Sequence, residues 1–60
     1  MCLSTVYIIK DNKKEKIFEN IAKVKKEKDK YIFITMFGEQ KFITGNIKEI
    51  DFLKAEILIE

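Results

Sequence analysis

Histidine, arginine, tryptophan and proline are missing from this sequence, glycine occurs twice, and cysteine occurs once, at position 2. A single cysteine excludes any disulfide within the chain. Only 60 residues are present, and a core of that size supplies only about 3–5 kcal/mol, so metal binding or self-association remain as sources of extra stability. Without histidine the commonest general base and the commonest metal ligand are both unavailable. The spaced cysteine and histidine pairs of a tetrahedral zinc site are absent as well. Without arginine the chain lacks the side chain best suited to bidentate contacts with phosphate or guanine. Long apolar runs are also lacking: Val6 to Ile9 is too short for a membrane span or a signal-peptide core. A free cysteine and no targeting signal are the pattern of a reducing cytosol, so a cytoplasmic protein without a membrane partner is expected.

What is present fits one folded domain over residues 1–60. The hydrophobic fraction of 47% and charged fraction of 37% are those of a folded chain and not of a disordered one. Twelve lysines face ten acids, for a net charge of +2. So mild an excess does not by itself predict a nucleic-acid partner, whose electrostatic footprint is usually larger and more clustered.

Isoleucine, valine, phenylalanine, tyrosine and threonine gather in short runs between polar turn residues, which is the pattern of an all-β protein. The runs predict strands over Cys2 to Ile9, Lys16 to Glu19, Ile21 to Lys26, Tyr31 to Phe37, Lys41 to Thr44 and Ala55 to Ile59. Turns are predicted at Asp11 to Lys14, Lys28 to Lys30, Gly38-Glu39 and Gly45-Asn46. Two segments read both ways. Ile17, Ile21 and Val24 also recur at helical spacing, so residues 12–30 can form an amphipathic helix, although their β-branched content favours strands. Ile47, Ile50 and Leu53 are spaced as on one helical turn. The first strand carries bulk on both faces, with Leu3, Tyr7 and Ile9 on one and Val6 and Ile8 on the other. A two-sided apolar strand in so small a protein predicts that one face meets a partner chain, hence a homodimer.

The candidate chemistry lies at the amino terminus. Cys2 is the one thiol, and Met1 and Met36 are the only thioethers. With Met1 retained, its amine, the Cys2 amide nitrogen and the Cys2 sulfur can wrap one ion in fused chelate rings. With Met1 removed, the amine and thiolate of Cys2 itself close a five-membered ring. Either gives a nitrogen and sulfur donor set suited to square-planar nickel or copper, and two chains would complete four positions. A lone cysteine can equally be a small buried hydrophobe, and both readings stay open on residue chemistry alone.

Other functions have less behind them. A nucleic-acid-binding module would use the lysine-rich hairpin, Lys13, Lys14, Lys16, Lys23, Lys25, Lys26, Lys28 and Lys30, beside Tyr31 and Phe33. However, Glu15, Glu19, Glu27 and Asp29 interrupt those lysines, and the core needs the aromatics. Catalysis is not expected. Nothing brings Glu39 and Asp51 together, and Cys2 has no histidine to activate it as a nucleophile. A third reading is a partner protein that docks through an exposed strand edge and needs no metal.

The opening Met1-Cys2-Leu3-Ser4-Thr5-Val6-Tyr7 resembles the start of the CooT family of small nickel-binding proteins. Phe37 to Lys41, Gly45 to Leu53 and Ile57 to Glu60 are similar to the family's later motifs, so the resemblance spans nearly the whole chain. It implies a small SH3-like barrel of five or six short strands, a homodimer, and Ni(II) held by the cysteine after the initiator methionine. That residue is Cys2 here, with Met1 beside it. The resemblance further implies a role as nickel carrier or chaperone for an enzyme such as carbon monoxide dehydrogenase. The alternative remains a small SH3-like RNA-binding module.

Overall fold

The β-branched and aromatic residues that mark the strands in the sequence form six strands in a computed structural model, which describes residues 3–60. These are β1 (Ser4–Lys10), β2 (Lys13–Glu27), β3 (Lys30–Thr35), β4 (Gln40–Thr44), β5 (Ile47–Asp51) and β6 (Glu56–Ile59). They make one sheet in the order β4-β3-β2-β1-β6-β5, antiparallel except where β6 runs parallel to β1.

The expectation of two return strands and the helical alternative for residues 12–30 both give way to one 15-residue strand. Asn20 lies at φ 59° in its middle, and the register slips between Ile21 and Lys23 on one side and around Val6 on the other. Such bulges bend a strand and increase its twist. β2 therefore serves two neighbours: its first half pairs with β1, its second with β3, and Ile21 lies opposite both Ser4 and Thr35. Asn20 tolerates the left-handed backbone better than most side chains. The first reversal is tighter than expected. Asp11 and Asn12, at φ 53° and 63°, form a two-residue loop between paired Lys10 and Lys13, the mirror-image turn that suits strand twist.

Ile47–Asp51 is a strand, not a helical turn. Beyond it the Asp51 carboxylate accepts the Lys54 backbone N–H at 3.0 Å, and the chain reverses through Ala55 at φ 55° into β6. Short polar caps of this kind stop a strand where apolar spacing alone would continue it. At the other turn the buried Thr35 hydroxyl accepts the N–H groups of Phe37 and Glu39. Those bonds end β3 at Thr35, so Met36 and Phe37, read as strand, belong to the turn.

β4 and β5 occupy opposite edges of the sheet, yet only Gly45 and Asn46 separate them in the chain. The sheet must therefore roll until its edges approach. Gly45, at φ 154°, sits where a Cβ would press on Ile59 Cγ2 at 3.3 Å, tight enough that Ile59 would have to give way. Asn46 and Glu60 exchange backbone hydrogen bonds across the corner. No ladder joins β4 to β5 among the described residues, so the expected SH3-like barrel is an open roll and not a closed barrel. The two-residue corner holds the ends of these edges near each other without a ladder between them.

Inside the roll lie Val6, Ile21, Phe33, Ile57 and Ile59, with Ile8, Ile17, Phe18, Tyr31, Ile43 and Ile47 packed around them. Alternation on β6 buries Ile57 and Ile59 and turns Glu56 and Leu58 away, as its sequence implies. On β1 Val6 is fully buried, whereas Tyr7 and Ile9 on the opposite face are half-buried.

Candidate metal-binding region beside the start of β1

Met1 and Cys2, the residues nominated as metal ligands, lie outside the described residues, and the structure begins at Leu3. What it shows is the platform that carries them. Leu3 is half-buried, and Ser4 opens β1 opposite Ile21, where β2 bends. The Thr5 N–H donates to the Ala55 carbonyl at 2.9 Å, which ties the first turn of chain to the β5–β6 reversal. The start of β1 is thus held on both sides by backbone pairing.

A groove of about 340 Å³ opens at this point, lined by Ser4, Ile21, Val24, Ile50, Phe52 and Ile57 among others. Its walls are mostly apolar, with Lys23 the one charged side chain. Around it stand Ile50 at 46% exposure, Phe52 at 84% and Leu53 at 101%. Single exposed hydrophobes are ordinary, but a cluster of them in 60 residues is a surface of the kind that meets a partner. The sequence reading missed this cluster. Its signal is local: the Asp51 cap turns the chain just before Phe52 and Leu53, which pushes both off the core face.

Among the described residues no group of three or more cysteine, aspartate or glutamate side chains is gathered as a metal site. Glu39 precedes β4 and Asp51 ends β5, and Asp51 is engaged by the Lys54 backbone. Met36, the remaining soft donor, is 55% exposed in the β3–β4 turn and does not line the groove. Its N–H instead donates to the Asn20 carbonyl at 2.9 Å.

The lysine-rich hairpin is not one surface. Lys14 donates to Glu56 at 2.9 Å and lies 4.4 Å from the Tyr7 ring centre, and Lys16 is bonded to Glu19. Those hydrogen bonds, aided by the nearby carboxylate charge, raise both ammonium pKa values above the ordinary lysine value. Phe33, named with Tyr31 as a base-stacking candidate, is wholly buried, and Tyr31 packs on the core. Phe33 therefore offers no ring face for stacking on a nucleobase, and Tyr31 is half-buried. No helix is long and apolar enough to cross a membrane among the described residues.

Comparison with known proteins agrees with the resemblance. An uncharacterized protein of Methanocaldococcus jannaschii is 41% identical over 46 residues, covering 77% of this chain and 81% of the relative. A crystal structure of a protein assigned to CooT from Carboxydothermus hydrogenoformans superposes with a TM-score of 0.90 at 25% identity, over 98% of this chain and 95% of that one. The family model for CooT, described as a CO dehydrogenase accessory protein, matches residues 1–60, and the chain therefore belongs to the CooT family.

Proposed function

We propose that this chain is a cytoplasmic Ni(II)-binding accessory protein that holds the ion on the Cys2 thiolate together with the Met1 amine, and passes it to a nickel enzyme such as carbon monoxide dehydrogenase. The observation that carries this reading is the family match over the whole chain, Cys2 included, with its description as an accessory of CO dehydrogenase. Donor chemistry supports it. Thiolate and amine nitrogen are ligands that favour nickel in a planar field, and nothing in the composition offers a competing histidine site.

In this reading the chain acts as a homodimer. The groove beside Ser4, with Val24, Ile50 and Phe52 exposed, suits a second copy placed about a twofold axis. An axis there would set two amino termini side by side, and two thiolates with two nitrogens would complete one square-planar ion. Delivery is favoured by such a site. Ligands at a chain end are reached from solvent, and an incoming set of enzyme ligands can displace them one at a time.

Nickel titration of protein with a free amino terminus tests the reading through the ultraviolet charge-transfer absorption of a thiolate–nickel bond. The parent is expected to bind one ion per two chains, and Cys2→Ala to lose the band and the binding. An extension fused ahead of Met1 is expected to weaken binding by blocking the amine. Equal affinity in Cys2→Ala would refute the proposal.

A further inference from the structure

The outer face of β2, β3 and β4 carries a surface that shares only Lys23 with the groove beside Ser4. Phe33 points into the roll, so its neighbours Ile32 and Ile34 point outward. Register places Lys25, Ile32 and Phe42 in one row across three strands, Lys23, Ile34 and Gln40 in the next, and Glu27, Lys30 and Thr44 on the other side. Residues directly opposite share a face. The result is an apolar ridge of Ile32, Ile34 and Phe42 rimmed by Lys23, Lys25 and Lys30. Ile32 is only 6% exposed and Phe42 is 55% exposed, so Phe42 is the accessible end of the ridge.

Charge is divided unevenly along the chain. Residues 20–45 hold six lysines and three acids, a net of +3, whereas residues 46–60 hold two lysines and four acids, a net of −2. Pairing differs in the same sense. The ion pairs among the described residues use Lys14, Lys16 and Lys48, and none uses Lys23, Lys25, Lys26, Lys28, Lys30 or Lys41. Lys30 lies 4.9 Å from the Phe42 ring centre instead of against a carboxylate. β4 is also an edge strand, and no ladder joins it to β5 among the described residues.

We infer that this face docks an acidic, extended segment of another protein, laid along β4 with an apolar side chain against Phe42 and Ile34 and carboxylates on Lys23, Lys25 and Lys30. Unpaired lysines around an apolar ridge at a free sheet edge match a segment that alternates acidic and apolar residues. Single-stranded nucleic acid fits less well. One exposed ring on this face makes a single stacking position and not a track, and no arginine is present to grip phosphate. The inference does not depend on nickel binding, since this face is built without Met1 or Cys2.

Fluorescence anisotropy with a labelled peptide alternating glutamate and leucine tests it, beside a control with lysine for every glutamate and a single-stranded oligouridylate. The glutamate peptide is expected to bind the full-length chain and to weaken as salt rises. The double variant Lys25→Glu/Lys30→Glu should lose about ten-fold or more in affinity, and Phe42→Ser about three- to ten-fold. Circular dichroism should show both variants folded, and their nickel titration should be unchanged. Binding of the lysine control as tight as that of the glutamate peptide, or an unaltered affinity in the double variant, would overturn the inference. So would an oligouridylate that binds more tightly and is lost in the same variant.

Discussion

The corner at Gly45-Asn46 and the groove beside Ser4 solve the same problem in opposite ways. Both lie where the rolled sheet lacks a ladder. At the corner the chain closes the gap with its own groups: Gly45 sits tight against Ile59, and Asn46 and Glu60 satisfy each other's backbone. At the groove Val24, Ile50 and Phe52 are left uncovered around the start of β1. The difference separates a part of the molecule that stabilises the fold from a part available for function. In a 60-residue chain the two cannot be combined, because each apolar side chain left outside is one fewer in a core already close to its minimum.

The largest effect is expected where the sealed region is emptied. Phe33→Ala removes the largest fully buried side chain and should cost about 3–5 kcal/mol, comparable with the total stability of a domain this small. Loss of the cooperative thermal transition in circular dichroism checks it. Gly45→Val should cost about 1–3 kcal/mol, since the side chain must displace Ile59 from a backbone position at φ 154°. Denaturant midpoints measure that cost. At the groove the expectation reverses. Ile50→Ser/Phe52→Ser should leave monomer stability within about 1 kcal/mol, and the proposed homodimer should give way to monomer in sedimentation at micromolar concentration. A dimer unchanged by that double variant would place the interface elsewhere. The smallest effect belongs to Lys14→Gln. Its pKa is raised by Glu56, so the pair contributes below the ordinary lysine pKa and is lost as pH rises through the raised value. At neutral pH the exposed ion pair should hardly move the melting temperature.

Most of the strand pattern was legible because it rests on period-two burial, which Ile57 and Ile59 against Glu56 show most plainly. Features that depend on neighbours far along the chain were not. The fusion of two segments into β2 depends on Asn20 accepting a bent backbone that only β1 and β3 together require. The strand at Ile47–Asp51 is decided by pairing with β6, against local spacing that suits a helical turn equally. Roll closure was overestimated, because a sequence marks turns but not whether two edges will share hydrogen bonds. Of the candidate site, Cys2 stood out by elimination and by resemblance. The apolar rim did not, since Phe52 and Leu53 look like core residues until the Asp51 cap ends the strand before them.

The most direct test of the central claim is nickel affinity measured against pH on tag-free protein, parent beside Cys2→Ala. A dimer that binds through two thiolates and two terminal amines should gain up to about 10,000-fold in affinity per pH unit well below the α-amino pKa of about 8 and the free cysteine pKa of about 8.5, and flatten above both. Cys2→Ala should keep only the amine part of that dependence and bind far more weakly. Parent and variant curves that coincide would contradict the assignment of Cys2 as the nickel ligand.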